Sequence, residues 1–319
     1  MSHDPALPAP PGTGGEAASA RPAPATDARR PQGVTIVTDP RCAGYHHAGH
    51  PEHPARVTRT VERLKAQNVL PVKWAEPLAA TPDQLLRAHS AALLERLKLP
   101  RDFDADTPAH PEMRAHAERG VGGALRALQA AGAGEVALSL LRPPGHHATH
   151  DRAMGFCYLN SVAIAALEAL AQDSNRVAVF DFDTHHGNGT EEILLGRPRC
   201  AFFSVHQFPS YPHTGDTSQQ NAFNYPVRPH ATREEYRAAL AAGLAELQRF
   251  APAVVGVSAG FDAFRGDPVG EGMLEVEDYH WLGASFRALG VPVFSVLEGG
   301  YSRELPELIF AYLRGLAGA

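Results

Sequence analysis

Two rhythms of apolar residues alternate along the chain. The first is short, continuous and rich in β-branched residues: VTIVTD (34–39), EVALSLL (135–141), VAVF (177–180), CAFFSVH (200–206), AVVGVSAG (253–260) and PVFSVL (292–297). Such runs, apolar throughout rather than at alternate positions, predict strands buried on both faces, the pattern of a parallel sheet. The second rhythm is helical. Val57, Val61 and Leu64 share one face of a helix starting near Ala55. Thr81-Pro82-Asp83 reads as an N-cap with Pro at the first helical position, opening a helix that runs to about Leu99. Further helices are expected at about 112–131, at 161–172, from Thr232 with a capping-box Glu235, at about 275–289 and at 304–315. This alternation predicts an α/β fold of three layers, α/β/α, with a mostly parallel central sheet.

Residues 1–32 break the pattern. They are rich in Ala, Pro and Gly and nearly free of β-branched residues, so they cannot bury enough apolar surface to offset their ordering entropy. A disordered tail is expected there, with a single domain over 33–319. The tail has no apolar segment of the secretory kind, and no run is long enough to span a membrane. Charge changes the picture only by exclusion. With 29 basic and 35 acidic residues, a net charge of −6 and no basic run, a nucleic-acid partner is not expected. Cys42, Cys157 and Cys200 are odd in number and widely spaced, which offers neither a disulfide framework nor a CxxC zinc site. A reducing, cytoplasmic setting follows as the expectation, and the sequence is compatible with homo-oligomers.

The unusual chemistry lies just after four of the predicted strands: RPPGHH, DFDTHHGNG, AGFD and EGGY. In open parallel sheets the carboxyl ends of the strands form the functional crevice. On an extended chain Asp181, Asp183 and His185 point the same way, giving an Asp/His half-site for a divalent metal. Asp262 is the natural third ligand beside Asp183 and His185, and three protein ligands leave positions open for water and substrate. The tandem His146-His147 offers proton-transfer groups. Asp181 and Asn188 can fix the tautomers of those imidazoles, and Tyr301 can direct its hydroxyl at a developing oxyanion. Any one cluster alone reads as a polar turn; four on separate strand ends are hard to explain as structure alone. His46, His47, His50 and His53 fit no single helical face and read as a surface or rim loop, with Arg56 as a buried salt-bridge partner. Asp267, before Pro268, reads as a turn aspartate.

The motifs HPEHPAR, RPPGHHA, GFCYLN, DFDTHHGNGT, VSAGFDAFRGDP and LEGGY together resemble the histone deacetylase, acetylpolyamine amidohydrolase and acetoin-utilisation superfamily, from about Pro40 to the C-terminus. The EGGY and HHGNG forms are similar to its class II and bacterial branch; the class I branch usually has Asp at the position of Asn188. The resemblance implies an arginase-like α/β/α fold around a single Zn²⁺ held by Asp183, His185 and Asp262. It implies His146 paired with Asp181, His147 as main general base and acid paired with Asn188, and Tyr301 polarising an acetyl carbonyl. It implies an acyl channel walled by Gly155 and Phe156 and, opposite, by Tyr211, with Phe208 as a competing wall and His213 standing where the family motif has glycine. A monovalent cation, K⁺ or Na⁺, is implied at Asp181, Ser204 and the carbonyls of Asp183, His185 and Val205. A rim aspartate is implied at Asp104 or Asp106.

The activity expected is hydrolysis of N-acetyl amides, of protein lysine or of polyamines, to acetate and free amine. The alternatives are an amidohydrolase of another acylated small metabolite and a catalytically silent binder of metal and acetylated ligand. The silent binder predicts loss of a ligand, a histidine or the tyrosine, and all are present. A two-metal ureohydrolase needs a DxHxD order that DFDTHH lacks. Asp/His ligation itself accepts Fe²⁺ as well as Zn²⁺.

Overall fold

A computed structural model describes residues 33–172 and 174–319; the expectation for residues 1–32 lies outside the described residues. The strands are β1 (Val34–Val37), β2 (Val72–Ala75), β3 (Val136–Ser139), β4 (Val177–Asp181), β5 (Cys200–Gln207), β6 (Ala222–Val227), β7 (Val254–Ala259) and β8 (Val293–Leu297). The helices are α1 (Ala55–Ala66), α2 (Pro82–Leu86), α3 (Ala91–Arg96), α4 (Met113–Gly132), α5 (Ser161–Ala171), α6 (Asn188–Leu194), α7 (Arg233–Phe250), α8 (Val276–Ala288) and α9 (Leu305–Ala317). Among the described residues the strands form one sheet in the order β2-β1-β3-β8-β7-β4-β5-β6, every neighbouring pair parallel.

The continuous apolar runs serve both faces of this sheet. In β4, Ala178 and Phe180 enter one core layer with α1, α7, α8 and α9, while Val177 and Val179 enter the other with α2 to α6. That alternation is the two-residue period of a strand. The architecture is therefore the expected three-layer α/β/α arrangement. Its consequence for chemistry lies in the strand order: β8 and β7 lie between β3 and β4. The ends of β3, β8, β7 and β4, distant in sequence, become neighbours at one edge.

Two expectations are corrected. The helix from Thr81 does not run to Leu99. Thr81 caps α2 as expected, and the structure adds a capping box to Gln84, but the chain breaks and restarts at Ser90, whose side chain accepts the N–H of Leu93 and caps α3. The reason is tertiary: Ser90 donates its own N–H to the carbonyl of His150, and buried His89 accepts the N–H of Asn160. The strands β2 and β6 were not anticipated. Both lie at edges of the sheet, β2 is half-exposed and β6 contains Pro226, so neither shows a continuous apolar run. Among the described residues no helix is long and apolar enough to cross a membrane.

Candidate active site

Each strand end delivers its side chains through backbone that is already committed. After β4, the Asp181 carboxylate accepts the N–H of Asp183 at 3.1 Å, and Asp183 accepts the N–H of His185 at 2.9 Å. This ladder of turns holds the three side chains before any ligand binds. After β7, Asp262 accepts the N–H of Thr184 at 2.9 Å, which ties it to the same turn. The ligand atoms of Asp183, His185 and Asp262 all lie within 4.8 Å of one another. His185 Nδ1 is 3.1 Å from Asp183 Oδ1 and 3.1 Å from Asp262 Oδ2.

Electrostatics and packing test whether this set fits a cation. Both carboxylates are fully buried. Burial, then the Asp183 charge, push the Asp262 carboxyl up to about 7. Burial alone would lower His185, but its contacts with Asp183 and Asp262 hold it up at about 10. Burial beside Asp183 makes the second negative charge on Asp262 costly, and the proton that the two carboxylates hold on His185 marks the place a cation would take. The ground between them is kept clear by glycine: a Cβ on Gly299 would strike both carboxylates, and one on Gly260 would strike Asp183. The donor set therefore fits a divalent metal of the Asp/His type.

The tandem histidines follow β3 and lie with ring centroids 4.0 Å apart. His146 Nδ1 is 3.0 Å from Asp181 Oδ2, and His147 Nδ1 is 2.8 Å from Asn188 Oδ1, at the first turn of α6. Their environments separate them. Burial opposes the charge on His146, but Asp183 and Asp181 raise it to about 10. Burial and the nearby His146 and His185 drive His147 well below its ordinary value. The surroundings thus favour the charged form of His146 and the neutral form of His147, a separation that proton transfer can use.

Above this floor opens a cavity of about 310 Å³ lined by His146, His147, His185 and Tyr301 below and by Gly155, Phe156 and Tyr211 along the walls. The Tyr211 ring meets that of His147 edge-on at 5.1 Å, and the Phe156 ring meets that of Tyr301 at 5.8 Å. Gly155 has φ +56°, and a Cβ there would strike the His147 ring and the Tyr211 hydroxyl. Glycine is needed at that position for both conformation and width.

A family model described as the histone deacetylase domain matches residues 50–315. The chain belongs to the histone deacetylase family. It is 37% identical over 303 residues to a probable deacetylase of Methanothermobacter thermautotrophicus, covering 89% of this chain and 91% of that protein. Among solved structures it is similar to the HDA15 HD domain, with a TM-score of 0.84 at 28% identity over 90% of this chain and 88% of that one. It is also similar to acetylpolyamine aminohydrolase from Burkholderia pseudomallei, with a TM-score of 0.77 at 27% identity over 88% of this chain and 98% of that one.

In this histone deacetylase-family chain not every anticipated residue reaches the cavity. Phe208 does not line it; its N–H is engaged with the Val227 carbonyl and Tyr211 stands at the wall instead. Asp106 lines the mouth whereas Asp104 does not; the Asp104 carboxylate accepts the Asp106 N–H at 3.0 Å. Ser204 lies opposite Asp181 in the β4–β5 register, with its hydroxyl 2.8 Å from His206 Nδ1, and Val205 follows it in β5. His46 and His47 are exposed, as a rim loop requires, while the His50 ring packs against Phe156 at 4.5 Å.

Three residues have roles that were not read from sequence. Arg56 is buried as expected, but besides Glu52 it holds the carbonyls of Glu298 and Gly300 and lies 4.7 Å from the Tyr301 ring centroid. Glu52 is also gripped by Arg142 and accepts from the Tyr45 hydroxyl, forming a buried polar knot under the rim. Asp267 is no mere turn residue: one oxygen accepts from Val269, and the other from the N–H groups of Tyr301 and Ser302. The only local signal for these was a charged residue inside an otherwise turn-like motif.

Proposed function

We propose that this chain is a zinc-dependent deacetylase that hydrolyses N-acetyl amides, of lysine in proteins or of polyamines, to acetate and free amine. The observation that carries the reading is the meeting of the Asp183, His185 and Asp262 donors, the His146-His147 pair and Tyr301 at the floor of one aromatic-walled cavity. The names of its relatives, a probable deacetylase and an acetylpolyamine aminohydrolase among them, support the same reaction class.

The alkyl arm on the amine side of the substrate lies between Phe156 and Tyr211, a slot suited to a methylene chain. His147 shares the proton on Nδ1 with the Asn188 amide oxygen, which leaves Nε2 free to accept a proton from the attacking water. The same nitrogen then returns the proton to the departing amine. His146, charged and paired with Asp181, stays protonated and stabilises the negative charge that develops beside it. Burial raises the Tyr301 phenol well above its ordinary value, so it stays protonated and donates to the oxyanion. Asp183, His185 and Asp262 would hold Zn²⁺, or Fe²⁺ in its place, which would supply Lewis acidity for the carbonyl and the water.

Around this centre, K⁺ or Na⁺ is assigned to Asp181, Ser204 and the carbonyls of Asp183, His185 and Val205, and Asp106 to the gripping of substrate at the rim. Residues 33–319 form the deacetylase domain, working in the cytoplasm. The test is turnover of a fluorogenic acetyl-lysine peptide and of N-acetylputrescine by metal-quantified protein, with and without chelator. Chelator-sensitive release of acetate from either supports the reading, and the ratio of the rates chooses between protein and polyamine substrates. A protein holding one zinc per chain and silent on both would overturn it in favour of another acylated metabolite or a binder.

A further inference from the structure

We propose that Glu298 is a positioning residue that holds the tandem histidines in register with the metal-ligand cluster. This rests on the deacetylase reading of the same centre. Glu298 follows β8 directly and its side chain is fully buried. Its Oε2 accepts two consecutive backbone N–H groups, of Gly145 at 2.6 Å and of His146 at 3.1 Å. Neither N–H has another partner among the described residues. A carboxylate from one strand end therefore supplies the acceptor for the turn that presents both histidines from another.

The main chain beside Glu298 is tied equally firmly to the metal side. The N–H of Glu298 donates to the Ala259 carbonyl at 2.9 Å, and its own carbonyl is held by Arg56. The next residue, Gly299, donates its N–H to Asp183 Oδ2 at 2.7 Å and accepts from Phe261, the neighbour of Asp262, at 3.1 Å. Two successive residues thus hold Asp183, the Asp262 turn and the His146 turn. The side chain of Glu298 is the arm of this junction that reaches the histidines. It also accounts for a residue the reaction does not otherwise use, since a short polar turn after β8 needs no buried acid.

The second oxygen, Oε1, is buried without a partner. Glu298, the His146 ring and the Cys157 thiol have donor atoms within 4.8 Å of one another. Only one oxygen is therefore engaged with the turn. An amide should replace the acid there, its carbonyl oxygen accepting both N–H groups and its NH₂ taking the place of Oε1.

The experiment compares Glu298→Gln with Glu298→Ala in the full chain loaded with Zn²⁺, reading kcat, KM, bound metal and the NMR signal of the His146 Nδ1 proton shared with Asp181. Glu298→Gln should keep kcat within about threefold of the parent, whereas Glu298→Ala should lose about 10²-fold, comparable to a lost proton-transfer group. KM and metal content should not move in either, and the His146 proton signal should shift in Glu298→Ala alone. Loss in Glu298→Gln equal to that in Glu298→Ala would overturn the proposal, because the charge and not the placed acceptor would then matter. Full kcat in Glu298→Ala, or an unmoved His146 signal, would overturn it as well. If Glu298→Ala does not fold, the kcat of Glu298→Gln decides by the same limits. A parent enzyme silent on both substrates defeats the deacetylase reading instead, while the His146 signal, readable without turnover, still tests Glu298.

Discussion

Asp267 accepts the backbone N–H of Tyr301 at 2.6 Å across 34 positions of sequence. The same oxygen takes the N–H of Ser302 at 2.9 Å, and the carboxylate is almost wholly buried. A turn after β7 thereby sets the position of a phenol delivered by β8. Asp267→Ala strips both N–H groups of their acceptor, at a cost of about 1–3 kcal/mol for each orphaned group. We expect bound metal to be retained and kcat to fall by about 10–10². Metal analysis and steady-state kinetics on one preparation check this, and an unchanged kcat would remove the positioning role.

Tyr301 itself and the metal ligands should separate cleanly. Tyr301→Phe is expected to bind metal as the parent does and to lose about 10²–10³ in kcat, the usual scale for one oxyanion donor. Asp183→Ala should lose metal and turnover together, because it leaves an imidazole and a single carboxylate as donors. Elemental analysis after gel filtration distinguishes the two variants. Full activity in Tyr301→Phe would sink the oxyanion assignment.

Gly155 gives a purely steric prediction. Its positive φ and the proximity of the His147 ring and Tyr211 hydroxyl leave no room for a methyl group. Gly155→Ala should narrow the slot and lower kcat/KM by about 10²-fold or more, with stability reduced by more than about 1 kcal/mol. Wild-type kinetics in this variant would show that substrate does not pass between Phe156 and Tyr211.

The knot under the rim makes a stability prediction with a defined pH dependence. Burial alone would raise the Glu52 carboxyl, but Arg142 and Arg56 hold it below its ordinary value. A carboxylate with a depressed folded-state pKa contributes stability that is fully present above its unfolded value. That contribution is lost as pH falls through the folded one. The Glu52 contribution, read as the difference between the parent and Glu52→Gln, should therefore change little above about pH 5 and decline below about pH 4. Arg142→Ala leaves Glu52 buried with one guanidinium fewer and should cost about 3–5 kcal/mol at neutral pH. Urea titrations across pH test both statements; a Glu52 contribution that does not fall below about pH 4 contradicts the first, and an Arg142→Ala protein as stable as its parent at pH 7 the second.

Legibility from sequence followed the range of the interaction concerned. The buried strands were visible because each is apolar throughout; the edge strands β2 and β6 were not, since one face of each is open and Pro226 interrupts the second. Helix α2 was readable from its Thr81 cap, yet its early end was not, because the break at His89 and Ser90 is made by partners at Asn160 and His150. Tyr211 was the expected aromatic wall, with Phe208 as a competitor three residues earlier. Only the path of the loop after β5 turns Tyr211 toward His147 and leaves Phe208 aside.

By itself the sequence determined the layered parallel architecture, the family and the clusters at the strand ends, because each depends on residues adjacent in the chain or on the period of one element. The tertiary structure alone decided which groups support those clusters. Glu298 reaches the His146 turn, and Gly299 reaches Asp183, because β8 and β7 lie between β3 and β4 in a sheet whose order departs from that of the chain. A carboxylate in a short polar motif looks alike whether it faces solvent or a buried pair of N–H groups. The difference appears only when strand order places 145 beside 298 and 267 beside 301, where desolvation leaves each donor a single acceptor.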